Sequence, residues 1–213
     1  MVEVKRGPFG GFCNYGIFEV EGKDSETGKR KYKKVNAVSE AAALEKAAAA
    51  GCVGPYSVKV SPFLDPSDRQ HKYAQALGVS FPAGCNSVDA SALISRAERE
   101  DQVEPDPALV SFAESCGVCF SYLTNEADLV GSMVAQLPLR EKAILFAYAV
   151  DASAAGARLA DPRSSARYPS FCRFADLVAG DPALAKSVEG REAREYLSPG
   201  RNTKAYKTAV SCF

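Results

Sequence analysis

The stretch FAESCGVCF, residues 112–120, has an earlier relative in YAQALGVSF, residues 73–81. An aromatic residue, an alanine, a glycine, a valine and a phenylalanine recur at a constant offset of 39 residues. Each stretch is followed within several residues by a polar helix-capping candidate, Asn86 or Thr124, and then by another helical pattern. The sequence therefore predicts two helix–loop–helix repeats.

The two cysteines of the later copy raise the question of redox or metal chemistry. In the alignment Cys116 takes the place of Leu77, just before the glycine that ends the helix, and Cys119 takes the place of Ser80. A redox dithiol lies instead at a helix N-terminus, where the helix dipole stabilises the thiolate. A zinc site would need two further ligands, and the chain has no second Cys-x-x-Cys or Cys/His pair. We expect both cysteines to be packing residues, and we predict no catalytic residue, no metal ligand and no cofactor.

The first copy has a wider pattern. Gln70, Tyr73 and Leu77-Gly78 are followed by Ala90-Ser91 and Leu93-Ile94. This spacing resembles a short helical module found in uncharacterised bacterial proteins. The resemblance covers about 30 residues, has no known activity attached and transfers no functional residue.

Residues 16–60 follow a different pattern, typical of a small sheet. Phe18 and Val20 alternate with Glu19 and Glu21, the period of a half-buried strand. The turn sequence DSETG, residues 24–28, separates this strand from a second one over residues 30–36. An alanine-rich helix capped by Ser39 and a third strand over residues 56–60 complete a ββαβ module.

The remainder of the chain is predicted to be helical. We expect helices over residues 67–77, 87–99, 107–116, 125–136, 138–156, 170–179, 182–195 and 203–211. The stretch AILFAYAV, residues 143–150, is apolar on every face, which is typical of a core helix. The predicted fold is therefore α+β, with a ββαβ module over residues 1–61 and a helical domain over residues 62–213 built around that helix.

Composition excludes several classes of protein. The 213 residues are 46% hydrophobic and 24% charged, as in an ordinary globular chain. Lys+Arg 26 balances Asp+Glu 26, so nonspecific coating of nucleic acid would need a local basic patch. No segment approaches the length of a membrane helix, and the N-terminus lacks a signal-peptide apolar run. Seven cysteines without disulfide-framework spacing favour a reducing, cytoplasmic location.

Two basic segments are candidates for binding anions or nucleic acid. The first is the second strand. Its cations have an alternative, purely structural role, which is to pair with Glu19 and Glu21 of the neighbouring strand in the hairpin. The second lies near the C-terminus, where Asn202 would cap a final helix and cations would flank its N–H groups. The candidate residues are Arg30, Lys31, Lys33 and the neighbouring Lys34 in the strand, and Arg191, Arg194, Arg201, Lys204 and Lys207 near the C-terminus.

Other polar or glycine-rich features are expected to be structural. His71 is the sole histidine and has no oriented partner at motif spacing. The segment GPFGGF, residues 7–12, lacks the lysine and hydroxyl of a phosphate loop, and we expect it to pack on the domain or to form an apolar contact surface. An acidic group is expected to be solvated: Glu98, Glu100, Asp101, Glu104 and Asp106.

The sequence thus favours a cytoplasmic, non-catalytic protein that binds an unidentified protein or other macromolecular partner. Missing catalytic constellations and repeat-built helices both support this hypothesis. The alternative is a nucleic-acid-binding protein that uses the C-terminal basic patch and the basic hairpin. An enzyme is the remaining possibility, with no reaction class to assign. No membrane partner is expected.

Overall fold

The computed structural model describes residues 4–99 and 103–213, which form two compact units. The first unit takes in the described residues before 103 together with residues 119–125. The second takes in residues 103–118 and 126–213. The fold class is α+β, as predicted, because a small antiparallel sheet precedes a series of helices. The predicted domain boundary after residue 61 stays a prediction about independent folding.

The first unit begins with the predicted ββαβ module. Its elements are β1 (Gly16–Asp24), β2 (Arg30–Ala37), α1 (Glu40–Ala49) and β3 (Cys52–Ser61). Both β2 and β3 pair antiparallel with β1, so the strand order is β2-β1-β3. The helix α1 therefore connects two outer strands that run parallel to each other.

One face of this sheet is buried by α1. Phe18 and Val20 of β1 form a buried cluster with Ala43 and Ala47 of the helix, whose small side chains allow close approach. Ser39 caps α1 as predicted, because its hydroxyl accepts a hydrogen bond from a backbone N–H in the first turn. Since side chains alternate along a strand, Glu19, which lies between Phe18 and Val20, points to the opposite face.

Both copies of the predicted repeat end their first helix in the same way. These helices are α2 (Asp68–Ala76) in the first unit and α4 (Pro107–Ser115) in the second. Gly78 and Gly117 follow them with φ of +70° and +69°. The next residue in each copy donates its N–H back to an alanine carbonyl of the helix, at 2.8 and 3.1 Å. The two copies thus share this helix end, which also occurs at Gly156, and the predicted repeat stays a prediction.

The second helices of the repeat are α3 (Ser87–Glu98) and α5 (Glu126–Gln136). Asn86 caps α3 by accepting hydrogen bonds from Val88 and Asp89. Because α5 begins at Glu126, the residue before it is Asn125, which lies 39 positions after Asn86. Thr124, the predicted capping candidate, lies one residue before this position and stays a prediction as a cap.

The second unit is built on α6 (Leu139–Ala155), the predicted core helix. Leu145, Phe146 and Val150 are completely or almost completely buried. Around α6 lie α7 (Tyr168–Gly180), α8 (Pro182–Glu189), α9 (Ala193–Leu197) and α10 (Lys204–Ser211). The single helix predicted over residues 182–195 was wrong. The chain leaves α8 at Gly190, and α9 starts anew with Glu192, whose N–H is capped by the Glu195 side chain.

Candidate nucleic-acid interface

The C-terminal cations do not form one exposed patch. Arg191 is buried, with only 4% of its side chain exposed, and its guanidinium lies 4.4 Å from the centre of the Phe146 ring. One terminal nitrogen donates a hydrogen bond of 2.8 Å to Glu195, while Nε has no hydrogen-bond partner. Arg191 therefore lies in the interior of the second unit and is inaccessible to a polyanion.

The other C-terminal candidates are exposed, but two of them have acidic partners. Arg194 pairs with Glu192 at 3.1 Å, and Lys204 pairs with Asp181 at 2.6 Å. Arg201 and Lys207 are exposed. Thr203 caps α10 in place of the predicted Asn202, because its hydroxyl accepts from the Tyr206 N–H. The structure brings Arg201 and Lys204 to the start of α10, where Asp181 already supplies a negative charge.

The basic strand divides its cations between two faces of the sheet. Lys31 and Lys33 lie opposite Gly22 and Val20, so they belong to the face covered by α1 and are half-buried. Lys31 donates a hydrogen bond of 2.6 Å to Asp24 in the hairpin turn. Two of the candidate strand cations are thus part of the module's own structure.

The uncovered side of the sheet, which we term the open face, carries the remaining strand cations. Its members are Glu19, Glu21 and Lys23 of β1, Arg30, Tyr32 and Lys34 of β2, and Ser57 and Lys59 of β3. Arg30 and Lys34 are exposed, and so is Lys59 on the far strand. Cations therefore flank the acidic central strand from both outer strands.

Glu19 occupies the centre of the open face. Lys34 and Lys59 lie directly opposite it, one on each neighbouring strand. The hydroxyl of Ser61 donates to its carboxylate at 2.5 Å. This bond, followed by the nearby Tyr32 hydroxyl and the two lysine charges, lowers the pKa of Glu19. Lys34 and Lys59 take part in no salt bridge among the described residues, so both ammonium groups remain accessible to a ligand.

Tyr32 is the aromatic side chain of the open face, and 54% of it is exposed. Burial, followed by the neighbouring Glu19 carboxylate, raises the pKa of its phenol. Arg30 pairs with Glu21 at 2.5 Å. The open face thus combines an exposed aromatic ring with cations on both outer strands.

The paired thiols occupy the positions that the repeat predicts. Cys116 is the C-terminal capping residue of α4, half-buried, and burial raises the pKa of its thiol. Cys119 is buried in the first unit, where burial also raises its thiol pKa. Neither sulfur lies at a helix N-terminus, the position that would stabilise a thiolate.

The glycine-rich N-terminal segment packs onto the first unit, one of its two predicted roles. The Phe9 ring contacts Phe18 edge-on at 5.5 Å, and Phe12 is buried. Gly11 has φ of +66°, and a β-carbon there would lie 2.5 Å from both the Asp89 carboxylate and the Asn86 amide. The absence of a side chain at Gly11 thus allows the segment to pack closely against Asn86 and Asp89.

The remaining polar candidates are explained by local contacts. The His71 ring lies 5.1 Å from that of Phe81. In the acidic group, Asp106 caps α4 and Glu98 accepts a hydrogen bond of 2.7 Å from Tyr73. Glu100 and Asp101 lie outside the described residues.

Sequence reasoning missed the contribution of β3 and of the buried carboxylate. Lys59 was visible in the alternating pattern of residues 56–60, but the pairing that places it opposite Glu19 is a property of the folded sheet. Asp89 is buried and accepts four hydrogen bonds, and its position three residues after Asn86 was the available signal of a capping box.

Comparison with protein-family models, with curated proteins and with solved structures yields no match. In residues 4–99 and 103–213, no helix has the length and apolar character needed to cross a membrane. The same residues contain no group of three or more His, Cys, Asp or Glu side chains suited to a metal ion. The open face is therefore the candidate site with the clearest geometry.

Proposed function

We propose that this chain is a non-catalytic, cytoplasmic macromolecule-binding protein whose binding surface is the open face of the N-terminal sheet. The observation that carries the proposal is the one-sided coverage of the sheet. The helix α1 buries Phe18 and Val20 on one face, whereas Tyr32 and the cations of the outer strands stay exposed on the other. Exposed aromatic and basic side chains on a rigid element are typical of binding surfaces.

Pairing between strands of the sheet explains only some of the charged side chains on the open face. Arg30 and Glu21 form a cross-strand pair, as the hairpin predicts. Lys34 and Lys59 both face the single carboxylate of Glu19, so the central strand does not neutralise every cation of the outer strands. Lysines also protect outer strands from pairing with other chains, but that role does not call for an exposed tyrosine beside them.

The free thiols support the cytoplasmic part of the proposal. All seven cysteines are free, including the half-buried Cys172 and Cys212 of the second unit. Free thiols persist in reducing compartments, whereas oxidising compartments favour disulfides. Fractionation of host cells, with the full chain detected by antibody, tests the location.

Site-specific photo-crosslinking tests the binding surface. The full chain would carry p-benzoylphenylalanine at position 32, or at the exposed position of Lys186 in α8 as a control, and would be irradiated in host extract. We expect a discrete crosslinked macromolecule from position 32 that is missing from position 186. Equal crosslinking from the two positions would count against the open face.

A further inference from the structure

We infer that the partner of the open face is a single-stranded nucleic acid. This inference rests on the proposed function, because it assigns a ligand class to the same surface. It is carried by the arrangement of one exposed aromatic ring between basic outer strands. The ring offers a stacking surface for a base, and the cations offer contacts for the phosphate backbone.

The aromatic ring is the first part of the argument. Tyr32 lies on β2 directly opposite Glu21, and 54% of the residue is exposed. A tyrosine on a paired strand has only two side-chain torsions to fix when a base stacks on its ring, so the loss of conformational freedom is small. Such stacking tolerates any base, since every base has an aromatic face.

The distribution of charge is the second part. Lys34 and Lys59 belong to the outer strands, two strand spacings or about 10 Å apart. Arg30 and Lys23 lie opposite each other at the hairpin end of the same face. A phosphate backbone would follow the outer cations, while the carboxylates of the central strand keep phosphates away from the middle and can accept hydrogen bonds from base amino groups.

The form of the surface favours a single strand over other polyanions. The open face belongs to a three-stranded sheet and has no helix that could enter a duplex groove. A duplex also hides the faces of its bases inside the stack, so it could not use Tyr32. An acidic peptide would match the lysines but would leave the aromatic ring without a role.

Fluorescence anisotropy of the full chain with labelled 12-nucleotide single-stranded RNA and DNA tests the inference. We expect binding that weakens with salt and a matching duplex that binds at least tenfold more weakly. Tyr32→Ala should weaken single-strand binding about tenfold. Tyr73→Ala is the matched control, because this tyrosine of α2 is also exposed, at 46%, and belongs to the same unit.

The charge contribution is measured separately. Lys34→Glu combined with Lys59→Glu should reduce the slope of log affinity against log salt by about 1.4, the value for two lost phosphate contacts on a single strand. Arg201→Glu combined with Lys207→Glu, the matched reversal of two exposed cations in the second unit, should leave the slope unchanged. Circular dichroism and thermal melting of each variant confirm that it is folded.

Three results would overturn the inference. They are no binding of either single strand, equal effects of Tyr32→Ala and Tyr73→Ala, and an affinity for the duplex or for polyglutamate that equals the affinity for the single strands. The crosslinking experiment separates this failure from failure of the proposed function. A macromolecule crosslinked from position 32, with no oligonucleotide binding, would refute the nucleic-acid assignment and retain the surface. Absence of both signals would refute both.

Discussion

The hydroxyl of Ser121 donates a hydrogen bond of 2.6 Å to Oδ1 of Asp89, whose side chain is completely buried. The other carboxylate oxygen accepts from the backbone N–H groups of Phe12 and Asn86, at 3.0 and 3.2 Å. One carboxylate therefore joins the N-terminal segment, the start of α3 and residues 119–125, all of which belong to the first unit.

We predict that Asp89→Asn destabilises the first unit by about 3–5 kcal/mol, because an amide nitrogen would replace an acceptor that faces buried donors. Urea unfolding of the full chain, followed by tyrosine fluorescence and circular dichroism, measures the loss. Asp128→Asn is the matched control: it is the equivalent residue of the second copy, it is half-buried, and its change should cost about 1 kcal/mol or less. Similar costs at the two positions would contradict the special role of Asp89.

The helix end that defines the repeat gives a second prediction. Gly78 has φ of +70°, and a β-carbon added there meets no atom within 4 Å, so Gly78→Ala would be penalised by backbone conformation alone. We expect a loss of about 1–2 kcal/mol. Gly180→Ala, equally open but at the last helical residue of α7 and without a positive φ, should be neutral or stabilising by up to about 1 kcal/mol. A stability equal to wild type in Gly78→Ala would contradict the helix-end assignment.

Helix starts and ends were predictable from sequence where a local signal determines them. Asp106 and Asp181 cap α4 and α8, and Gly78 ends the first repeat helix, because capping involves residues only a few positions apart. Asp65-Pro66 offers a similar signal just before α2, but Ser67 caps this helix, since Gln70 completes a capping box with it. Two strong local signals competed there, and the reciprocal pair of hydrogen bonds prevailed.

The site was less predictable, because it depends on partners distant in sequence. The strand alternation identified Arg30 and Lys34, but the cations of β2 divide between faces only through pairing with β1. Lys59 joins the open face from a strand that follows α1. Arg191 was expected to be exposed, but Phe146 of the core helix contributes an aromatic ring that covers its guanidinium.

The burial of Arg191 leads to a third prediction. Arg191→Ala should destabilise the second unit by about 2–3 kcal/mol, since it removes the contact with Phe146 and the bond to Glu195. Oligonucleotide affinity should not change at temperatures where the variant is folded. Arg194→Ala, an exposed cation three residues away, should stay within about 0.5 kcal/mol of wild type in the same urea titration. A loss of binding without a loss of stability in Arg191→Ala would restore this residue to the nucleic-acid site.

Asp24 gives a prediction on pH. The hydrogen bond from Lys31, followed by those from the N–H groups of Thr27 and Glu26, holds the pKa of this carboxyl well below its ordinary value of 3.8. A carboxyl whose pKa is lowered by folding stabilises the fold above pH 3.8, and this contribution disappears as the pH falls through and below that value. Asp24→Asn should therefore be less stable than wild type at pH 7, with a difference that shrinks as the pH is lowered towards 2. Glu26→Gln, an exposed change in the same turn, serves as the control in parallel thermal melts.

Thiol labelling tests whether the cysteine pair is reactive. Burial raises the pKa of Cys13 to about 12 and also raises that of Cys119, so neither thiol forms much thiolate at pH 8. We expect Cys116, which is half-buried, to react slowly with a disulfide reagent in the native chain, and Cys13 and Cys119 to react only after unfolding in urea. Mass spectrometry of peptides at timed intervals identifies each site, and Cys116→Ser provides the control for assignment. Rapid native labelling of Cys119, or a disulfide between Cys116 and Cys119 under mild oxidation, would contradict a packing role, because either result requires a sulfur that is accessible and ionised.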